Sequence, residues 1–178
     1  GWDLLAVMHP PCTRLANSGA RWLIEPPTNA PDEATAAEKL VWTALDRDAR
    51  LAIMWRLLDE GAALFSDCWN APIARIAVEN PVMHKHAKAR IRGYQPFAQS
   101  VQPWHFGTDA AGPDNIKKRT CFWLRGLPKL KPTGTLDGST ARDEIHRAAP
   151  GPNRKADRSR FFPGLAAAMA AQWGGFAS

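Results

Sequence analysis

The chain has 178 residues, of which 45% are apolar, and this is enough for the core of one domain. No apolar run approaches the roughly 20 residues that a membrane span needs, and no secretory leader is recognisable, so we expect a cytoplasmic protein without a membrane anchor. Three cysteines without a CxxC pair exclude a complete disulfide framework and are typical of a reducing compartment.

The net charge of +6 is unevenly distributed along the chain. Residues 1–80 hold 7 Lys and Arg against 11 Asp and Glu, whereas residues 81–178 hold 16 against 6. A segment with a net charge of +10 predicts contact with a polyanion such as DNA, because neutralised phosphates supply affinity without sequence specificity. A basic surface that only faces water remains the alternative.

The first 80 residues predict a strand, a helical region and a second strand. Leu4–Met8 is a short apolar run that indicates a buried strand, and residues 17–31 are rich in turn formers and prolines, which predicts a loop. Apolar residues then recur at helical spacing from Pro31, which predicts one long helix or two joined near residues 46–48, ending before Asp67. Residues 73–78 predict the second strand, so this part resembles half of a Rossmann-like sheet.

The second half gives weaker signals. Residues 81–99 predict a loop that contains a basic segment, 84–90, and residues 121–124 predict a short strand. Residues 126–160 are rich in Pro, Gly and charge, which indicates an extended or partly disordered segment. Residues 163–173 predict a helix that begins at a proline and ends at a Gly-Gly pair.

Two groups of complementary chemistry follow the two predicted strands of the first half. Cys12 lies in the loop after the first strand, and Glu79 lies after the second. Open α/β sheets place reacting groups at such strand ends. A cysteine thiolate can act as a nucleophile, and a carboxyl can act as a general acid. Alone, each residue has a plainer interpretation, as a small buried hydrophobe and as a solvated acid.

The segments Pro10-Pro11-Cys12-Thr13 with Ser18, and Glu79-Asn80-Pro81, resemble the PPCQ and ENV motifs of the cytosine-C5 DNA methyltransferases. The chain is most similar to compact proteins of this family from phages and prophages, through stretches such as QPWHFG at 102–107 and FWLRGLP at 122–128. The resemblance implies an α/β fold with a partial Rossmann-like sheet flanked by helices, a nucleophilic Cys12 and an acidic Glu79. It implies further substrate-binding residues: Pro11, Ser18, Asn80, Gln102, Lys118 and Arg119.

The resemblance also implies a cofactor and a partner. The methyl donor would be S-adenosylmethionine, with Pro163 and Leu165 beside its pocket, because the segment 163–170 is similar to the last motif of the family; plain core packing explains the same pattern. The partner would be DNA, whose target cytosine is flipped out of the stack. A bacterial or phage-infected cell is the implied location.

The sequence also departs from the family pattern. Thr13 replaces a Gln, Pro81 replaces a Val, and nothing before Leu4 supplies the Gly-rich turn and acidic strand end that bind the cofactor in family members. We therefore expect residues 1–178 to be one catalytic domain that is incomplete at its N-terminus, with the cofactor-binding part in a missing segment or a partner chain.

Several other functions stay open. A phage pyrimidine-modifying enzyme could use the same thiolate addition, and a nucleic-acid-binding remnant of the scaffold could lack activity. His9, His84 and His86 have no second ligand pair at matching spacing, so we expect no metal site. A Cys/His hydrolase would need an orienting His that the sequence does not identify.

Overall fold

The computed structural model describes residues 5–144 and 162–177, with side chains to Gly175. The predictions for Leu4 and for residues 145–160 lie outside the described residues. Clustering of contacts divides the chain into two compact units, one made of Gly1–Val7, Ile73–Glu79 and Phe97–Ser178 and the other of Met8–Pro72 and Asn80–Pro96. Each unit is described by itself.

Within the described residues, four short strands form one mixed, open sheet in the order β1-β2-β4-β3. Their bounds are Leu5–Met8 for β1, Arg75–Asn80 for β2, Gln99–Val101 for β3 and Thr120–Arg125 for β4. The edge strand β3 runs antiparallel to β4, with Ser100 opposite Cys121. Antiparallel edge strands are common on doubly wound sheets. The α/β class is therefore confirmed, and the sheet is compatible with part of a Rossmann-like sheet.

The core of the first unit lies between the sheet and helix α4, Pro163–Trp173. Trp173 is fully buried, packs edge-on against Phe122 at 5.7 Å between ring centroids, and donates its indole N–H to the carbonyl of Pro128 at 2.9 Å. Burying such a side chain stabilises a fold by roughly 1.5–3 kcal/mol. The predicted bounds of this helix are confirmed.

The second unit is built on three helices, α1 (Ala36–Val41), α2 (Arg47–Asn70) and α3 (Lys85–Arg90). Thr35 and Glu38 form a capping box at the start of α1. Asp46 caps α2 by accepting the N–H of Ala49 at 2.8 Å, so the alternative of two helices that divide near residues 46–48 is confirmed. The buried residues of α2 recur at helical spacing: Met54, Leu57, Leu58, Ala62, Phe65, Ser66 and Trp69.

Several predicted bounds were wrong. The loop predicted at 81–99 contains α3 and the start of β3, and the loop at 17–31 contains a 3₁₀ helix at Asn17–Leu23. The helix α2 continues to Asn70 instead of ending before Asp67, and β2 is shifted two residues later than predicted. Glu79 and Asn80 are thus the last residues of the strand and do not follow it.

Candidate active site

Cys12 lies exposed in the loop that leaves β1, on a tight turn. Its carbonyl accepts hydrogen bonds from the N–H groups of Leu15 at 3.0 Å and Ala16 at 2.9 Å, which closes the chain into a turn immediately after the thiol. Pro10 is buried, whereas Pro11 is exposed. Since neither proline has an N–H group, this part of the loop can be held only through its carbonyls.

Asn80 holds the loop on the N-terminal side of Cys12. Its side chain is fully buried, and its Nδ2 donates to the carbonyl of Pro10 at 2.9 Å across 70 positions of sequence. Its Oδ1 is buried without a hydrogen-bond partner among the described residues. The end of β2 is therefore linked to the loop two residues before the thiol, a role for Asn80 that the sequence did not indicate.

His84 holds the loop on the C-terminal side of Cys12. Its Nε2 lies 2.8 Å from the carbonyl of Arg14, and its Nδ1 lies 3.2 Å from the N–H of Ala87, at the start of α3. A carbonyl oxygen only accepts and a backbone N–H only donates, so Nε2 must carry the proton and Nδ1 must be bare. His84 is 6% exposed, and this burial lowers its pKa, as do the positive charges of His86 and Arg90.

Backbone contacts reinforce the same junction. The N–H of His84 donates to the carbonyl of Leu15 at 3.1 Å, and the N–H of Asn17 donates to the carbonyl of Val82 at 3.1 Å. Ala16 and Met83 form an antiparallel bridge between these two hydrogen bonds. The turn of Cys12 is therefore docked against residues 82–84.

Glu79 lies half-buried near the end of β2, in the first unit, where its charge acts on Cys121 of β4. Burial is the main cause that raises the pKa of the Cys121 thiol, and Glu79 adds to it, while the Ser100 hydroxyl and the Arg119 guanidinium oppose it. Arg119 also donates from Nε to Ser100 Oγ at 3.0 Å. The structure thus brings two of the predicted residues, Glu79 and Arg119, to the surroundings of one buried thiol.

The remaining predicted substrate residues are placed separately. Gln102 follows β3, and its buried Oε1 has no partner among the described residues. The ammonium group of Lys118 lies 5.1 Å from the ring centroid of Phe162, a cation–π distance. Ser18 is exposed in the 3₁₀ helix after the Cys12 turn.

A shallow cleft lies beside the Cys12 turn in the second unit. The turn contributes Pro11, Thr13 and Arg14, and the helix α2 contributes Leu57 and Leu64, which are apolar. The Arg14 side chain is 10% exposed and pairs with Glu33 at 2.7 Å. One wall of the cleft is thus formed by the residues that directly flank the thiol.

The two residues predicted to lie beside a cofactor pocket, Pro163 and Leu165, belong to the first turn of α4. Leu165 is 7% exposed and belongs to the core cluster of the first unit, and Pro163 is exposed at the start of α4. The carboxylate of Asp114 accepts a hydrogen bond from the N–H of Gly164, at 3.0 Å to one oxygen and 3.1 Å to the other. A negatively charged group therefore already lies at the N-terminus of α4, where the helix dipole favours it. A side chain at Gly164 would approach the carbonyl of Phe106 at 2.4 Å, so the end of the helix is closed by its own fold.

Sequence reasoning missed the structural role of His84, which it treated as part of a basic loop. The available signal was weak: His84 precedes a short alanine-containing basic segment, but His is not a favoured capping residue. No group of three His, Cys, Asp or Glu side chains within residues 5–144 and 162–177 could hold a metal ion. In the same ranges, no helix is both long and apolar enough to cross a membrane.

Comparisons with protein-family models, with curated proteins and with solved structures found no match to this chain.

Proposed function

We propose that this chain is the nucleophile-bearing part of a DNA cytosine-C5 methyltransferase. The observation that carries the proposal is the placement of Cys12 between two side-chain anchors. Pro10 and Arg14, each two residues from the thiol, are held through their carbonyls by Asn80 and His84. Asn80 belongs to the ENP segment and Pro10 to the PPC segment, so the two motifs that carry the resemblance are joined by a buried hydrogen bond.

The proposed chemistry begins with the Cys12 thiolate. Its Sγ adds to carbon 6 of a flipped cytosine, the electrons of the C5–C6 double bond move into the ring, and carbon 5 becomes the nucleophile. The resemblance assigns to Glu79 the stabilisation of charge at nitrogen 3 as an acid. Asn80 and His84 keep the loop in one conformation, which reduces the entropy lost when the thiol meets its target.

DNA is the proposed substrate because of the charge of the second half. The net charge of +10 over residues 81–178 would attract the phosphate backbone, and Lys118 and Arg119 are the residues of the basic motif nearest to β4. The Arg119 guanidinium is exposed in part and already oriented by Ser100, which suits it to a phosphate beside an extruded base.

S-adenosylmethionine would supply the electrophilic methyl group. The steps assigned to this chain are the addition of the thiolate and the activation of carbon 5.

Hydrogen exchange at carbon 5 tests those steps without a methyl donor. Once Sγ is bound to carbon 6, carbon 5 takes up a proton from water; loss of the original hydrogen and departure of the thiolate then restore cytosine. DNA that carries tritium at carbon 5 should therefore release it to water. Cys12→Ser should abolish the release, while Cys68→Ser, at a half-exposed cysteine outside the turn, should retain it.

A second candidate is a nucleic-acid-binding protein without this chemistry, which the net charge of +10 over residues 81–178 favours. It predicts salt-sensitive DNA binding with no tritium release from either the parent protein or Cys68→Ser. Methyl transfer with added S-adenosylmethionine, followed by mass spectrometry of the nucleosides, separates 5-methylcytosine from the product of another pyrimidine modification.

A further inference from the structure

We propose that His84 is a positioning residue for Cys12, acting through a neutral imidazole that is protonated only on Nε2 and holds the Arg14 carbonyl. The inference rests on the proposed function in so far as Cys12 is the nucleophile. It deepens that function by assigning the control of the nucleophile to a side chain of α3 rather than to the PPC segment itself.

The geometry gives His84 a direct mechanical connection to the thiol. Arg14 lies inside the turn that the Cys12 carbonyl closes with the N–H groups of Leu15 and Ala16. Fixing the Arg14 carbonyl at 2.8 Å therefore fixes the middle of this turn. The N–H of His84 also donates to the Leu15 carbonyl, so the backbone and side chain of one residue hold two consecutive carbonyls of the turn.

The two ring nitrogens of His84 perform separable tasks. Nε2 donates to the turn, and Nδ1 accepts from Ala87 as the cap of α3. A proton on Nδ1 would replace the acceptor with a donor that faces another donor, and the cap would be lost. His84 must therefore stay neutral for both contacts to exist.

The surroundings of His84 favour the neutral ring. Burial is the main cause that lowers the pKa of His84, and the charges of His86 and Arg90 lower it further, while the hydrogen bond to the Arg14 carbonyl opposes them by stabilising the imidazolium. The titratable and charged groups around it are His86 and Arg90 on α3, Asp59 of α2 paired with Arg90, and Arg14 of the turn paired with Glu33.

Two substitutions separate the tasks. His84→Asn keeps an acceptor close to the backbone, a favoured cap, but its amide is too short to reach the Arg14 carbonyl. His84→Gln places an amide N–H near the position of Nε2 but loses the acceptor that caps α3 through the N–H of Ala87. His86→Asn and His86→Gln are matched controls on the same helix, at a ring that packs edge-on against Trp55 at 5.2 Å instead of against the turn.

The primary measurement is amide hydrogen exchange by NMR in the intact chain, which requires no enzymatic activity. His84→Asn should speed the exchange of the Leu15 and Ala16 amides about tenfold, the effect of losing one hydrogen bond, while His84→Gln should leave them within about twofold. The Ala87 amide should behave in the opposite way: its exchange should become faster in His84→Gln, which loses the cap, and stay nearly unchanged in His84→Asn. Long-range proton–nitrogen correlation should show the proton of His84 on Nε2.

The link to catalysis is read from tritium release. His84→Asn should lower kcat about tenfold with KM unchanged, whereas the kcat of His84→Gln should stay close to that of the parent protein. Unchanged exchange at Leu15 and Ala16 in His84→Asn, equal loss of kcat in both His84 variants, or a proton on Nδ1 would each overturn the proposal. Absence of tritium release from the parent protein would refute the proposed function instead, while the exchange data would still decide whether His84 holds the turn.

Discussion

The Asn80→Ala substitution removes the hydrogen bond that joins the end of β2 to Pro10, and its cost follows from the burial of both groups. Asn80 is fully buried and donates at 2.9 Å to a carbonyl that water cannot reach easily, since Pro10 is buried too. An unpaired buried carbonyl costs about 1–3 kcal/mol. The removal of the unpartnered Oδ1 offsets a part of this, so we expect a loss of about 2 kcal/mol of unfolding free energy.

For a chain of this length that loss corresponds to a fall in Tm of about 4–8 °C. Asn70→Ala is the matched control, because Asn70 is exposed and donates to the carbonyls of Ser66 and Arg92 at 2.8 and 2.9 Å. The Arg92 carbonyl can bind water when the amide is lost, because Arg92 is exposed, whereas Ser66 is buried; the cost should therefore stay below that of Asn80→Ala, at about 1 kcal/mol. Both values can be measured by urea unfolding followed by tryptophan fluorescence.

Asn80→Asp should make the free energy of unfolding depend on pH, an effect that a loss of packing alone would not produce. A carboxylate of the same size cannot donate to Pro10 and is buried with its charge, so it should cost more than the alanine at pH 7. Burial raises the pKa of the introduced carboxyl, the folded state then binds the extra proton, and stability should rise as the pH falls through that raised pKa. An Asn80→Ala cost no larger than that of Asn70→Ala, or an Asn80→Asp protein that is not stabilised by acid, would refute the reasoning.

Two further predictions concern a turn and two histidines. Gly126→Ala should lower the free energy of unfolding by at least about 2 kcal/mol, because Gly126 has a φ of 64° and a Cβ there would lie 2.3 Å from the carbonyl oxygen of Ala74. Gly174→Ala is the control and should be near neutral, since a Cβ at Gly174 would have no atom within 4 Å. Thermal unfolding of the two variants compares these effects directly. Burial lowers the pKa of His84 and of His105 in the folded chain, so the unfolded chain binds more protons below about pH 6.5. Stability should therefore be complete above that pH and decrease as the pH falls, and replacing both residues by Asn should flatten the decrease of Tm between pH 7.5 and 5.5.

Sequence patterns predicted the elements that carry their own periodicity. The helix α4 has a proline at its start and apolar residues at helical spacing, and its bounds are the predicted ones. Two helices joined near residues 46–48 were one of the two alternatives that the sequence left open, and Asp46 is the cap of α2. In these cases the decisive interactions lie within a few residues of one another.

The elements that were missed depend on distant partners. Only Ala87 is buried within α3, so the basic segment shows no apolar stripe, and a helix of six residues has little stability of its own. The strand β3 has three residues and is defined by its pairing with β4, whose partners lie about 20 positions away. Local propensity contains little information about such elements.

In the candidate site, too, the residues that local sequence motifs indicate differ from those whose contacts depend on distant partners. Cys12 and Glu79 were selected because their segments resemble two motifs of one family, and their roles stay predictions. The contacts of Asn80 and His84 could not be predicted in this way, since each joins groups 70 positions apart and each residue type is ordinarily exposed.

The proline content of the Cys12 loop explains the chemical type of the anchor that precedes the thiol, Asn80. Pro10 and Pro11 remove two backbone donors just before the thiol, so no side-chain acceptor such as a carboxylate can hold that part of the loop. Only a donor can reach its carbonyls, and a charged donor would have to be desolvated at a high cost. A primary amide and a neutral imidazole N–H are donors that can be buried without charge, and these are the groups that Asn80 and His84 present on either side of Cys12. In the proposed arrangement the anchoring requires a neutral His84, so a proton on its Nδ1 should loosen the turn of Cys12.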